Sequence, residues 1–251
     1  MYNVNLIYYS LTYRSVVFVH GLTGHPQRTW TYTEQVQRER DTFLSKLARW
    51  TQSSTAQEVE EQTYLKTVFW PRDLLKDVLC KARILTYGYD SRISHRLGTQ
   101  VNQSTILDLG QNLMSSLEAK RRTHPKRPLI FVAHSLGGIV VKAALRRSAG
   151  HREYQKEFHD IYDSTIALIF FGTPHRGSDP LSLIRTVAEG VLRAAGYTPN
   201  EKLVEGLLPS SERLKDLREE FSKMIRTKDW KIHSFQEGCG MLALNGEKVS
   251  R

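Results

Sequence analysis

A serine in a turn of small residues is the part of this 251-residue chain best suited to chemistry. Ser135 is the third residue of the sequence AHSLGG, which follows the apolar run Leu129–Val132 and precedes the helical pattern Ile139–Leu145. A strand, a sharp turn and a helix in this order form a nucleophile elbow, which lifts a serine hydroxyl above the edge of a sheet. Such a turn needs small residues two positions before and after the serine. Ala133 and Gly137 meet this need, although glycine is more usual at the first position. The pattern predicts acyl transfer with Ser135 as the nucleophile.

A serine nucleophile also needs hydrogen-bond donors for the oxyanion that develops on the carbonyl under attack. The backbone N–H of Leu136 directly follows Ser135 at the start of the predicted helix, so it is one predicted donor. The second predicted donor is the N–H of Leu22, in the loop 20–24 that ends an apolar strand. Gly21 in that loop lets the backbone turn. The two N–H groups together predict an oxyanion hole.

Apolar segments that alternate with helical patterns position these residues. The predicted strands are Ser15–His20, Ala82–Tyr89, Leu129–Val132, Thr165–Phe171 and Trp230–Phe235. Helical spacing occurs between them, most clearly over Thr105–Arg122. This alternation predicts an α/β fold with a mostly parallel sheet flanked by helices. Ligands of such sheets bind outside the carboxyl ends of the strands, where the chain places His20–Gly21, Gly88–Tyr89, Ser135 and Gly172–His175.

The length fits one domain over residues 1–251. The polar segment Arg28–Trp50 is helix-permissive, and Thr51–Thr63 is predicted to be a surface loop. Residues 179–228 are predicted to form a helical insert. One helical face of it carries Leu214, Leu217, Phe221, Met224 and Ile225, which predicts either a helix packed on the sheet or a lid over an acyl pocket.

Composition restricts the class of protein further. Two cysteines make no disulfide framework and have no metal-type spacing, so no cofactor or metal is expected. The N-terminus lacks the basic region and long apolar core of a secretory signal. A net charge of +10 is densest in Lys120–Arg127 and Arg146–Arg147. Attraction to an anionic membrane surface is one interpretation of this charge, but a solvated helix end and loop is the favoured one. No nucleic-acid motif accompanies the charge, so no nucleic-acid partner is predicted.

Five segments of the chain resemble the motifs of one known family. They are Phe18–Pro26, Phe69–Leu75, Arg83–Asp90, Val132–Gly138 and Phe170–Ser178. In this order they are similar to the α/β-hydrolases that include the serine active site-containing protein and related lipase and serine esterase domains. Similar domains begin fungal multidomain proteins. The resemblance implies the α/β-hydrolase fold and an ester or lipid acyl substrate.

The resemblance also implies a triad in the order serine, acid, histidine. Glu237, after the last predicted strand, is the expected acid, with Asp179 as the alternative. Residues 238–251 form an atypical tail without a histidine, so the fold is expected to be C-terminally incomplete, without its last strand and helix. His175 at the edge of the expected pocket is a candidate substitute base, although a structural role suits it better.

Two functional hypotheses therefore stay open. The first is a serine hydrolase that cleaves carboxylic or lipid esters through an acyl-serine intermediate, weakly or not at all because the triad histidine is absent. The second is a non-catalytic binding or sensing module with the same fold. The resemblance implies a mitochondrial or endoplasmic reticulum location, with the cytoplasm as the alternative. Neither the acyl group nor the oligomeric state is predicted.

Overall fold

The computed structural model describes residues 3–8, 14–22, 24–37, 63–89, 106–151, 155–174, 185, 189–190, 193 and 211–236. The strands are β1 Asn3–Tyr8, β2 Arg14–Val19, β3 Thr31–Gln37, β4 Thr63–Phe69, β5 Ala82–Gly88, β6 Leu129–His134, β7 Thr165–Phe171 and β8 Lys231–Phe235. The helices are α1 Trp70–Asp73, α2 Leu75–Val78, α3 Ile106–Arg121, α4 Gly137–Gly150, α5 Lys156–Ser164 and α6 Ser211–Thr227, with a 3-10 turn at Arg28–Trp30.

Six of the strands form one sheet in the order β1-β5-β2-β6-β7-β8. Strands β2, β5, β6, β7 and β8 run parallel, and only β1 is antiparallel to its neighbour β5. The predicted α/β fold with a mostly parallel sheet is therefore confirmed, and the five predicted strands correspond to its parallel members. Because parallel strands end at the same edge, the turns after β2, β6 and β7 lie side by side.

Apolar side chains cover both faces of the sheet. On one face, residues of α3, α4, α5 and α6 pack with the sheet into one buried cluster, which includes Leu113, Val141, Ile161 and Phe221. On the other face, Trp30 and Phe69 pack with sheet residues into a second, smaller cluster. The buried helical face predicted over Thr105–Arg122 is thus observed in α3, where Leu109, Leu113 and Leu117 are all buried.

A two-stranded sheet crosses the second face and was not predicted. Strand β3 pairs antiparallel with β4, from Thr31 opposite Phe69 to Gln37 opposite Thr63. The helix-permissive interpretation of Arg28–Trp50 is therefore wrong for Thr31–Gln37. Its alternating sequence TYTEQVQ has the period of a strand with one polar face, and its partner lies 26 or more residues further along the chain.

Within the predicted insert, residues 211–227 form a helix that packs on the sheet. Leu214, Leu217, Phe221 and Met224 of α6 are buried in the same cluster as α4 and β7. The side chains of Phe221 and Phe170 of β7 meet edge to face at 6.4 Å. This part of the insert therefore packs in the core. The lid predicted for the insert 179–228 stays a prediction, since nearly all of residues 179–210 lie outside the described residues.

The basic stretch after α3 is partly structural. Arg121, the last residue of α3, is buried, and its guanidinium donates hydrogen bonds to the carbonyl oxygens of Pro125 and Arg127. Burial lowers the pKa of Arg121 to about 10. Arg122 is exposed and pairs with Glu118 at 2.9 Å. Arg121 therefore holds the turn after the helix, and Arg122 forms an ion pair on the helix surface. Among the described helices, none is long and apolar enough to cross a membrane.

Candidate active site

The turn after β6 holds Ser135 in a backbone conformation that a serine rarely adopts. Ser135 has φ of 52°, and it is the only residue other than glycine with a positive φ in the part of the chain that the structure describes. Such a conformation typically costs about 1–3 kcal/mol, so the surrounding contacts have to enforce it. The Ser135 N–H donates to the carbonyl oxygen of Phe171 on β7 at 2.8 Å. A strained serine between a buried strand and a helix is the geometry of a nucleophile elbow.

Two glycines allow the elbow to approach the end of β2. A Cβ added to Gly137 would lie 2.3 Å from the carbonyl oxygen of His20, and one added to Gly21 would lie 2.9 Å from the Cβ of Ser135. Both distances are far below a van der Waals contact, so no larger residue fits at either position. The predicted need for a small residue at position 137 therefore has a specific cause, which is the backbone of the neighbouring strand end.

The carbonyl of Ser135 accepts two hydrogen bonds. The hydroxyl of Thr173 donates to it at 3.0 Å, and the N–H of Gly138 donates at 3.1 Å. This carbonyl belongs to the same trans peptide as the N–H of Leu136, and the two groups of a trans peptide point in opposite directions. Fixing the carbonyl therefore fixes the direction of the predicted donor. No described backbone carbonyl accepts a hydrogen bond from Leu136.

The second predicted donor is held in the same way. The carbonyl of Gly21 accepts a hydrogen bond from the Nδ1 of His20 at 2.8 Å and another from the N–H of Gly24 at 3.1 Å. That carbonyl shares its peptide with the N–H of Leu22, so the N–H is directed the opposite way. Within the described ranges, the Leu22 N–H also has no backbone acceptor. Each proposed oxyanion donor thus belongs to a peptide whose carbonyl is held by two donors.

His20 is part of this scaffold and is not placed to act as a base. Its ring is fully buried and stacks on the ring of Tyr89 at 4.2 Å, and the Tyr89 hydroxyl donates to the His20 carbonyl at 2.7 Å. Burial lowers the pKa of His20 to about 4, so the ring is neutral at physiological pH. Burial also raises the pKa of Tyr89, which keeps its hydroxyl protonated as a donor. This pair fixes the loop that carries Leu22.

Thr173 is a residue whose role the sequence did not indicate. It is buried directly after Gly172, and a Cβ added to Gly138 would lie 2.3 Å from its Oγ1. Thr173 therefore packs on the first turn of α4 while its hydroxyl holds the carbonyl of Ser135. Its position in the sequence could have indicated this role, since a threonine two residues after a strand lies at the sheet edge where Ser135 also lies.

The remaining predicted site residues lie outside the described residues. These are the expected acid Glu237, the alternative acid Asp179 and the candidate base His175. The structure thus brings together Ser135, Leu22 and Leu136, and their predicted roles stay predictions. Ser135 is 5% exposed, and its Oγ has no hydrogen-bond partner in the described part of the chain. Of the residues described, no group of His, Cys, Asp and Glu could hold a metal ion.

A cavity of about 790 Å³ opens beside the elbow, on the sheet face opposite α4. We call it the aromatic cavity. Its apolar lining consists of Trp30, Tyr32, Val68, Trp70, Leu74, Phe171 and Phe235. The ring of His134, the residue before Ser135, also lines it and meets Trp30 edge to face at 6.3 Å. The aromatic cavity thus lies between the β3–β4 sheet and the ends of β6, β7 and β8.

Residues 106–181 match the family described as "Putative serine esterase (DUF676)". The matched segment begins at the start of α3 and includes the elbow and Thr173. The chain resembles the serine esterase and lipase family. The resemblance found in its motifs is therefore confirmed.

Curated relatives share this likeness over most of the chain. Protein SERAC1 of Mus musculus is 27% identical over 230 residues, and the protein of the same name in Homo sapiens is 24% identical over 230 residues. Each match covers 88% of this chain and 30% of the relative. The chain therefore spans less than a third of the length of these relatives.

Solved structures of similar architecture include hydrolases. The mature lipase BlEst2 of Bacillus licheniformis has a TM-score of 0.48 and 17% identity, with 99% of this chain and 75% of that chain covered. A lipase-esterase related protein of Clostridium acetobutylicum has a TM-score of 0.40 and 12% identity, with 95% of this chain and 91% of that chain covered. The α/β fold of this chain is shown by the topology of its sheet.

Proposed function

We propose that the chain is a serine hydrolase that cleaves carboxylic esters, lipid esters among them, through an acyl intermediate on Ser135. The observation that carries this proposal is the elbow, which holds Ser135 at φ 52°. The carbonyls of Ser135 and Gly21 are fixed by hydrogen bonds, and this fixes the N–H groups of Leu136 and Leu22. A strained backbone at a buried serine costs stability and is retained where the geometry serves a function. The match of residues 106–181 to a serine esterase family supports the same chemistry.

In the proposed reaction the Oγ of Ser135 attacks the carbonyl carbon of the ester, and the π electrons of the carbonyl move onto its oxygen. The N–H groups of Leu22 and Leu136 stabilise this oxyanion. One such donor is typically worth about 2.7–4 kcal/mol of transition-state stabilisation. Collapse of the intermediate breaks the bond to the alcohol oxygen and leaves an acyl-Ser135 ester. Water then attacks the acyl carbon, releasing the carboxylic acid and restoring the Ser135 hydroxyl.

The proton of Ser135 needs an acceptor, which then protonates the leaving alcohol. We propose His175 as the candidate substitute base, because it follows Phe171, whose carbonyl accepts the Ser135 N–H, by four positions in the sequence. Glu237, or Asp179 as the alternative, would orient the base. Because His175 stands at an unusual place for a triad histidine, we expect slow turnover. The oxyanion hole and substrate binding alone retain about 10³–10⁴-fold catalysis over water in a serine protease without its triad.

A fluorophosphonate probe tests the proposal, since it forms a covalent bond with an activated serine. The wild-type chain should be labelled, Ser135→Ala should not, and Ser148→Ala, which removes another buried serine hydroxyl, should be labelled like the wild type. Labelling of Ser135→Ala at the wild-type rate would refute Ser135 as the nucleophile. His175→Ala should lower the labelling rate and ester turnover together, and an unchanged rate would remove His175 from the mechanism.

The cellular setting is a separate proposal. We propose a location at the mitochondrion or the endoplasmic reticulum, with peripheral contact to an anionic membrane and the cytoplasm as the alternative. The exposed members of the basic stretch after α3 support contact with anionic headgroups. Sedimentation with vesicles of anionic and of neutral lipids tests this, and equal binding to both would refute an electrostatic contact.

A further inference from the structure

The aromatic cavity borders the proposed nucleophile through two short connections. His134 lines the cavity and is the residue before Ser135. Gly172 also lines it, between Phe171, whose carbonyl accepts the Ser135 N–H, and Thr173, whose hydroxyl holds the Ser135 carbonyl. The residues that line the cavity are therefore direct neighbours in the chain of the residues that hold Ser135 in place. Residues adjacent to both ends of this support thus belong to the cavity wall.

The walls of the cavity are suited to hydrocarbon. Trp30 and Trp70 meet edge to face at 5.8 Å, and Phe171 stacks on Phe235 at 5.0 Å. None of the described lining residues is Lys, Arg, Asp or Glu. Tyr32 and Phe235 are 61% and 53% exposed, so large apolar side chains face solvent at this site. Exposed apolar surface of this kind marks binding grooves, and a volume of about 790 Å³ is in the range that holds ligands of drug size.

We propose that the aromatic cavity binds the hydrocarbon group of the ester that Ser135 cleaves, which makes the chain selective for esters with a long, uncharged hydrocarbon chain over short or charged ones. This proposal rests on the proposed function for the cleavage, whereas binding of a hydrocarbon chain to the cavity stands independently of it. The described lining residues carry no Lys, Arg, Asp or Glu, so a hydrocarbon group suits this lining better than a charged headgroup, whose burial without a partner is costly.

The proposal predicts how the rate depends on chain length. Burial of one methylene group in an apolar site improves binding about fourfold. The kcat/KM of the wild type should therefore rise with each added methylene and level off once the cavity is filled. Two ester series decide which side of the ester occupies it. A rise in p-nitrophenyl esters from acetate to decanoate assigns the acyl chain, and a rise in acetates from ethyl to decyl assigns the alcohol chain. No dependence in either series overturns the proposal.

Filling the cavity should reduce the preference for long-chain over short-chain esters. Val68→Trp places a large ring in the lining from β4, and Leu74→Trp does so from the turn between α1 and α2. Each should lower the ratio of long-chain to short-chain kcat/KM at least tenfold. Leu65→Trp is the matched control, since Leu65 is 66% exposed and lies on the opposite side of the same strand. If Val68→Trp and Leu74→Trp keep the wild-type ratio, the cavity does not bind the chain.

Binding without cleavage separates this proposal from the proposed function. Decanoic acid should quench the tryptophan fluorescence of the Ser135→Ala protein, because Trp30 and Trp70 line the cavity, and Val68→Trp in that background should weaken its affinity at least tenfold against Leu65→Trp. A wild type that cleaves no ester while Ser135→Ala binds decanoic acid in this way refutes the proposed function and supports the cavity as a chain-binding site. Equal affinities of Val68→Trp and Leu65→Trp for decanoic acid would refute the cavity as the chain-binding site, whether or not the wild type cleaves esters.

Discussion

The hydroxyl of Thr173 donates a hydrogen bond to the carbonyl oxygen of Ser135 over 3.0 Å. This contact joins the turn after β7 to the elbow after β6, and it holds the peptide that carries the proposed donor Leu136. The carbonyl of Gly21, in the loop after the neighbouring strand β2, is held by His20 and Gly24 in the same manner. The oxyanion hole is thus built from peptides whose orientation is set by groups behind them, which is the preorganisation that electrostatic stabilisation requires.

Removal of the Thr173 hydroxyl should slow the reaction more than it weakens substrate binding. Thr173→Val keeps the shape of the side chain but loses the hydrogen bond, which is worth about 0.5–1.5 kcal/mol. We expect kcat to fall roughly three- to tenfold with little change in KM, because the donor acts on the oxyanion of the transition state. Thr173→Ser keeps the hydroxyl and should retain most of the rate. A fall in both variants alike would point to packing instead of orientation.

Gly137→Ala should destabilise the fold. The added Cβ would lie 2.3 Å from the carbonyl oxygen of His20, so the elbow or the end of β2 has to move. Overpacking of this kind costs about 1–3 kcal/mol, which urea denaturation measures. Gly150→Ala at the other end of the same helix is the control, because nothing lies within 4 Å of its added Cβ. Equal stabilities of the two variants would contradict the close approach at position 137.

His20 should make the protein sensitive to acid. Its pKa of about 4 in the folded state lies below the ordinary value of 6.5, so the unfolded chain binds more protons between these two values. The stability contributed by neutral His20 is complete above about pH 6.5 and is lost as the pH falls toward 4, on the order of 3 kcal/mol in total. His20→Asn keeps a donor near Gly21 without titrating. Its free energy of unfolding should therefore fall less over this pH interval than that of the wild type, and parallel curves would refute the assignment.

Helix α6 should behave as part of the core and not as a lid. Phe221→Ala removes a buried ring that contacts Phe170, so we expect a loss of about 3–5 kcal/mol in the free energy of unfolding. Ile225→Ala on the same helix is the control, since Ile225 is 40% exposed and should cost much less. A small effect of Phe221→Ala on stability combined with a large effect on ester turnover would favour the lid.

Local patterns made much of the fold predictable. The strands β2, β6 and β7 are short apolar runs that end at Gly or small residues, and the elbow after β6 is defined by residues within a few positions of Ser135. Such features depend on near neighbours in the sequence, so periodicity and turn chemistry identify them. Of the site, the positions of Ser135, Leu22 and Leu136 at one edge followed from the parallel order of the strands.

Contacts between distant segments could not be predicted in this way. Strand β3 is polar and depends on β4 for its pairing, which no local pattern encodes. Thr173 contacts Ser135 across 38 positions, and the cavity wall needs Trp30, Val68 and Phe235 from three separate elements. The role of each of these residues arises from tertiary packing. Its residue type alone is compatible with many other roles.

The double support of each proposed donor has a consequence for natural variation. Since both donors are main-chain groups, the side chains at positions 22 and 136 take no part in the chemistry. Gly21, Gly137 and Thr173 supply no reactive group, yet they determine whether the donors are correctly oriented. Loss of activity in a population of variants would then arise from glycine and threonine codons around an intact serine as well as from those of the proposed nucleophile, base and acid. A survey of variants that predicts activity from the presence of Ser135 alone would classify the inactive glycine and threonine variants as active.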